Sequence, residues 1–209
     1  MSRAEQLPDA EDAVTEHARE HLRATDHATL ARCRRRLRAL LPELPDTLEE
    51  LRARMQAIRG REIDLQITDP GTLKLPSGLW SQLRATGDRP ARDLIWVDRR
   101  TSPFARTVVA CHEFGHMICG HDPQPTREAV ADPKPLTELA PRLSLDPAQI
   151  SAVIGRCGEP YEPGSPEWQR EREAELTGRI LAQHILDPDR ARSSGLLGGE
   201  CLILGVTGL

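Results

Sequence analysis

The sequence has few aromatic residues, no long apolar run and no closely paired cysteines. Aromatic side chains make up 3% of the 209 residues, and there are five scattered cysteines: Cys33, Cys111, Cys119, Cys157 and Cys201. An odd, scattered set without a C-x-x-C pair indicates free thiols in a reducing compartment. No apolar stretch approaches the ~20 residues of a membrane span, and the N-terminus lacks the apolar core of a signal peptide. We therefore expect a cytoplasmic protein that does not contact a membrane.

The charge balance argues against a protein that coats nucleic acid. The formal net charge is -4, whereas nucleic-acid-binding proteins are commonly basic. One basic run, ARCRRRLR, ends at Arg38 and is flanked by acidic residues. Such a run is typical of a solvated helix face. The alternative is a DNA-binding regulator whose affinity falls steeply with salt. We expect no direct contact with nucleic acid.

The first 59 residues are predicted to form a helical extension. Residues 10–41 place leucines and a cysteine at helical spacing with charges between them. Pro42 and Pro45 should end this helix, and Asp46 or Thr47 should cap a second one that reaches Arg59.

Three strands are predicted after Gly60. The sequence alternates polar and apolar residues over 62–67, and further strands are indicated at 79–83 and 93–98. We expect a small antiparallel sheet packed on the helix that follows. The predicted class is therefore α+β. An exposed edge of that sheet would suit an extended peptide that adds as a further strand.

A buried helix is predicted over residues 101–121, TSPFARTVVACHEFGHMICGH. Ser102 fits an N-cap, and Pro103 fits the first helical position. The apolar residues of this stretch surround the helix, which is typical of a core helix.

This helix carries an H-E-x-x-H motif. Each helical residue turns about 100°, so His112 and His116 lie ~40° apart and can share one zinc ion (Zn2+). Glu113 is the next residue after His112 on the helix. There it can take a proton from water that the zinc polarises. The alternative is that all three are core polar groups hydrogen-bonded to the backbone.

His121 does not have the spacing of a third zinc ligand in H-E-x-x-H-x-x-G-x-x-H. Gly120 comes one position too late and His121 one too early. The helix is expected to break at Gly120. We therefore expect His121 at the rim of the site or hydrogen-bonded to a ligand.

A later helix offers a better third ligand. The Ser165-Pro166 pair predicts its start, and the helix should run to Leu186. On the helical wheel Glu171 and Glu175 fall within its apolar stripe, whereas Glu173 falls on the opposite, polar side.

Two roles follow from these helical positions. Glu171 is predicted to bind zinc, and Glu175 to accept a hydrogen bond from one of the histidines. The alternative is that either carboxylate pairs with Arg172 or Arg179.

The order of these motifs resembles the ImmA/IrrE family of zinc metallopeptidases. Strands are followed by His-Glu-Phe-Gly-His with Gly120-His121 after it, and then by E-x-x-A at Glu171 to Ala174 on a later helix. The resemblance covers about residues 60–190. It implies a zincin-like fold with His112, His116 and Glu171 as ligands and Glu113 as the catalytic carboxylate.

The resemblance also implies a function. Family members commonly cleave or inactivate helix-turn-helix transcriptional repressors, and some belong to toxin–antitoxin pairs. The expected protein is thus an intracellular endopeptidase with an extension at 1–59 and an apolar tail at 191–209 packed on the domain. His121 and Tyr161 are candidate donors to the oxyanion. The alternative is a zincin-fold module that sequesters a partner without hydrolysis.

Overall fold

Four helices and a five-stranded sheet make up the described part of the chain. The computed structural model describes residues 26–72, 75–87, 89–121, 124–125, 150–154 and 161–187. The helices are residues 26–40 (α1), Leu48–Arg59 (α2), Pro103–Cys119 (α3) and Pro166–Leu186 (α4). The strands are Ile63–Thr68 (β1), Gly78–Leu83 (β2), Arg92–Asp98 (β3), Gln124–Pro125 (β4) and Ile150–Ile154 (β5). This mixture confirms the α+β class.

Parts of the sequence predictions lie outside the described residues. These are the start of the predicted first helix before residue 26 and the C-terminal tail at 191–209. Within the described ranges, no helix combines the length and apolarity needed to cross a bilayer.

The sheet is mixed, and the prediction of an antiparallel sheet is wrong for one strand pair. Its order is β1-β3-β2-β5-β4. β1 runs parallel to β3, whereas β2 is antiparallel to both β3 and β5. β2 does not pair with β1, because the later strand β3 lies between them in the sheet. Two successive reversals make β1 and β3 parallel, which the alternation of apolar residues within each strand does not reveal.

The helix ends follow the local signals in the sequence. Thr47, Ser102 and Ser165 each accept a hydrogen bond from a backbone N–H three residues on. Such caps satisfy donors that have no partner within the helix. The predicted starts of α2, α3 and α4 are thus confirmed.

The two N-terminal helices share the core of the rest of the described chain. Leu37 and Leu41 near the end of the first helical segment, and Leu51 and Met55 of α2, lie in one buried cluster with Phe114 of α3. The segment predicted as an extension therefore supplies part of the core that surrounds the H-E-x-x-H helix.

Helices α3 and α4 approach each other backbone to backbone through two glycines. A Cβ atom at Gly115 would overlap the carbonyl oxygen of Ala174, and one at Gly178 would lie 2.8 Å from the backbone N and Cα of His112. Glycine is therefore required at both contacts, because real Cβ atoms do not pack this closely. The contact fixes the distance between the face of α3 that carries the histidines and the face of α4 that carries Glu171.

We predict that Gly178→Ala destabilises the protein. Alanine within a helix is normally favoured over glycine by roughly 0.5–1 kcal/mol, whereas overpacking a tight contact costs about 1–3 kcal/mol. The urea midpoint should therefore fall. Gln169→Ala, an exposed position on the same helix, should change the free energy of unfolding by less than about 0.5 kcal/mol. A more stable Gly178→Ala variant would contradict the close approach of the helices.

Candidate metal centre

Three side chains from two helices bring their donor atoms together. The Nε2 atoms of His112 and His116 lie 3.1 Å apart. The Glu171 carboxylate lies 3.4 Å from Nε2 of His112 and 3.6 Å from Nε2 of His116. Ligands held about 2.0–2.1 Å from one tetrahedral ion are about 3.3 Å apart. These residues could therefore hold a metal ion, and they are the three that the sequence suggested.

The candidate metal site is open to solvent on one side only. The side chain of His116 is 2% exposed, whereas those of His112 and Glu171 are 30% and 33% exposed. A cleft of about 310 Å³ borders Glu171 and is also lined by Asp26, Trp168, Arg172 and Glu175. The donors can thus be reached from solvent on the side of His112 and Glu171.

The two imidazoles and the carboxylate shift one another's pKa. Burial acts to raise the pKa of Glu171, but hydrogen bonds to both histidines outweigh burial and hold the pKa well below its usual value. Burial acts to lower the pKa of His112, yet the nearby carboxylates of Glu171 and Glu113 leave it raised. Burial lowers the pKa of His116. Glu171 is therefore anionic across the physiological range, as a ligand must be.

Glu113 is buried beside this group and keeps one oxygen without a partner. Glu113 is 4% exposed, and its carboxylate accepts a hydrogen bond from the backbone N–H of Trp80 in β2. Its Oε2 has no hydrogen-bond partner among the described residues. Burial raises the pKa of Glu113 to about 7. A buried carboxylate oxygen left unpaired is costly, so this atom is suited to a partner that the described residues do not supply.

A glycine in β2 makes room for this carboxylate. A Cβ atom at Gly78 would lie 3.1 Å from Oε1 of Glu113 and would overlap the side chain of Val109. The start of β2 therefore lies directly against α3. The sequence analysis did not identify Gly78, because nothing near it in the chain shows which helix will pack there.

His121 lies on the opposite side of His116 from the candidate metal position. Gly120 ends α3 at φ 72°, and the N–H of His121 bonds to the carbonyl oxygen of His116 at 3.0 Å. Together with the bond from Gly120 N–H to Met117, this is a Schellman motif. It brings Nδ1 of His121 to 2.9 Å from Nδ1 of His116. His121 therefore cannot share an ion with Nε2 of that ring.

Glu173, predicted on the polar side of its helix, is buried there rather than exposed. The residue is 7% exposed and contacts His121, with Oε2 3.4 Å from Nε2 of the ring. Arg32 and Arg36 of α1 also bind it, at 3.0 and 2.7 Å. The physical reason is that α1 covers this face of α4, so two arginines of the basic run pair with Glu173. The sequence analysis assigned α1 to an N-terminal extension and therefore did not predict this contact.

Glu175 makes the alternative contacts rather than the predicted bond to a histidine. It pairs with Arg172 at 3.0 Å and with Arg179. These partners lie three and four residues away on α4, where helical side chains meet readily. Tyr161 is partly buried and precedes the N-cap of α4. Its role at the oxyanion stays a prediction.

A second group of possible metal donors lies within the described residues. Cys119, His121 and Glu173 are all buried, and their donor atoms lie within 4.8 Å of one another. The sequence analysis did not predict this group, because its members come from the end of α3, the following turn and α4.

Comparisons with known proteins identify no relative. No family model, no curated protein and no solved structure matches the chain.

We predict that the wild-type protein binds one divalent metal ion per chain. His112→Ala, His116→Ala and Glu171→Gln should each weaken binding by more than the roughly 10–100-fold that loss of a ligand's hydrogen-bond partner costs. Equilibrium dialysis followed by elemental analysis measures this directly. Glu175→Gln is the matched control, since it lies one turn from Glu171 and pairs with arginines. Equal losses in Glu171→Gln and Glu175→Gln would contradict the assignment.

Proposed function

We propose that this protein is a zinc-dependent endopeptidase that hydrolyses a peptide bond in a specific regulatory protein. The observation that carries the proposal is the buried Oε2 of Glu113, which has no hydrogen-bond partner among the described residues. Its carboxylate interacts electrostatically with His112 and Glu171 of the candidate metal site. A metal site that only stabilises the fold would have no use for such a group. Catalysis by metal-assisted hydrolysis requires one.

Zinc suits this set of donors. Two imidazole nitrogens and one carboxylate are a common protein ligand set for catalytic zinc, with a fourth position left for water or substrate. The partial exposure of His112 and Glu171 is consistent with such an open position. Bound there, zinc would polarise a peptide carbonyl and acidify water.

The residues of this chain then have separate roles. His112, His116 and Glu171 would hold the ion, and the partial exposure of His112 and Glu171 leaves their side of the site open to solvent. Oε2 of Glu113 accepts a proton from the attacking water and passes it to the leaving amine. A pKa near 7 suits both steps, because the carboxyl group can take up and release a proton close to neutral pH. The backbone N–H of Trp80 donates to the Glu113 carboxylate and holds it in place.

The substrate class rests on the motifs of the sequence. The resemblance to the ImmA/IrrE family supports a helix-turn-helix transcriptional repressor as the protein substrate, in a stress-response, mobile-element or toxin–antitoxin setting. The site of action would be the cytoplasm. Two arginines of the basic run pair with Glu173, which supports a protein partner over direct binding of DNA.

We predict that Glu113→Gln retains zinc but loses hydrolysis. The amide keeps the shape and cannot take up the proton, so cleavage should fall by about 10²–10⁴-fold. The probe is a library of peptides from digested proteins, with cleavage products identified by mass spectrometry. Because glutamine carries no buried charge, the metal-free variant should be at least as stable as the wild type.

Two results would oppose this assignment in different ways. Cleavage by Glu113→Gln at the wild-type rate would exclude Glu113 as the proton carrier. A wild-type protein that binds zinc and captures a repressor without cutting it would favour the sequestering module instead. Glu167→Gln, at an exposed position, serves as the control for replacing a carboxylate outside the site.

A further inference from the structure

A continuous line of polar contacts leads from the candidate metal ligand His116 to helix α1. Nδ1 of His116 lies 2.9 Å from Nδ1 of His121. Nε2 of His121 lies 3.4 Å from Oε2 of Glu173, and that carboxylate binds Arg36 at 2.7 Å and Arg32 at 3.0 Å. His116, His121 and Glu173 are all at most 8% exposed, so water competes little for these bonds.

The positions of the protons along this line follow from the chemistry of each group. A metal ion on Nε2 of His116 requires that nitrogen to be unprotonated, so the proton of the neutral ring is on Nδ1. That N–H must donate, and Nδ1 of His121 must accept. The proton of His121 is then on Nε2, where it donates to the carboxylate of Glu173. The donor and acceptor roles of His116, His121 and Glu173 are thus mutually consistent.

The two arginines keep the end of the line anionic. Glu173 accepts hydrogen bonds from both guanidinium groups, from Arg32 at Oε1 (3.0 Å) and from Arg36 at Oε2 (2.7 Å). The carboxylate therefore remains an acceptor. The Schellman motif at Gly120 fixes the other end, because it holds the backbone of His121 against that of His116.

We propose that His121 and Glu173 are positioning residues that fix the tautomer and orientation of His116 for the metal ion. Through Arg32 and Arg36, the same contacts make metal affinity depend on the docking of α1. The inference rests on the metal site of the proposed function. It adds that contacts from helix α1 help to stabilise that site.

The same contacts disfavour a metal ion at the group formed by Cys119, His121 and Glu173. Two guanidinium groups already neutralise Glu173, and a further cation beside them would be repelled. In the proton arrangement described above, Nε2 of His121 carries the hydrogen that faces Glu173, so this nitrogen is not free to bind a cation. We therefore expect one zinc ion per chain, not two.

The first test is the proton position in the wild-type protein. Long-range ¹H–¹⁵N spectra of histidine-labelled protein identify which ring nitrogen carries the hydrogen. We expect it on Nδ1 of His116 and on Nε2 of His121 in the zinc-loaded protein. A hydrogen on Nδ1 of His121 would overturn the proposal, and no variant is needed to see it.

The second test is zinc affinity, measured by competition with a chromogenic chelator. His121→Leu removes the acceptor and should weaken zinc binding by about 10–100-fold. His121→Asn restores an acceptor, so its affinity should lie between those of His121→Leu and the wild type. Packing alone would not predict that order. Arg36→Gln should also weaken binding, whereas Arg38→Gln, at an exposed position on the same helix, should not.

The metal-free variants are first compared by circular dichroism and thermal unfolding to show that each is folded. Unchanged zinc affinity in folded His121→Leu would overturn the proposal. Two zinc ions per wild-type chain, with one lost in Cys119→Ser, would overturn it in favour of a second metal centre. Zinc binding with the expected tautomers but without peptide cleavage would contradict the hydrolase alone and leave the positioning role supported.

Discussion

The backbone contact between α3 and α4 is the constraint on which the candidate site depends. Gly115 lies against the backbone of Ala174, and Gly178 lies against that of His112. With larger residues at these positions the helices would separate, and the carboxylate of Glu171 would move away from the imidazoles. A donor spacing of 3.1–3.6 Å leaves little room for such a shift. The two glycines thus determine the spacing of the donor atoms, although neither has a side chain that could bind a metal ion.

The N-terminal helix α1 belongs to the same structural unit as the site. Its apolar side packs into the core with Leu37, and its basic side covers α4 and binds Glu173. A buried carboxylate needs opposite charge nearby, and two arginines supply it here. The basic run therefore has a structural explanation that composition alone does not provide. It also connects α1 to His116 through His121.

Local signals predicted the elements well, because caps, turns and helical phase depend on neighbours in the chain. Ser102, Ser165 and the four-residue spacing of His112 and His116 are of this kind. Contacts between distant segments were missed. The parallel pairing of β1 and β3 depends on which gap a later strand fills, and the burial of Glu173 depends on α1. A helical wheel shows which side chains share a face but not what covers that face.

The two carboxylates of the site differ in a way that separates their roles. Glu171 is partly exposed and hydrogen-bonded to two imidazoles, so its pKa is low and it stays anionic. Burial raises the pKa of Glu113 to about 7, and its Oε2 has no hydrogen-bond partner among the residues that the structure describes. Neighbouring carboxylates with opposite pKa shifts are a frequent arrangement for dividing a fixed charge from a mobile proton. A core glutamate with only a structural role would stabilise the fold more if both of its oxygens accepted hydrogen bonds. Among the described residues the Oε2 of Glu113 has no partner, which is destabilising for the fold, and the proposed hydrolysis would give that cost a chemical use.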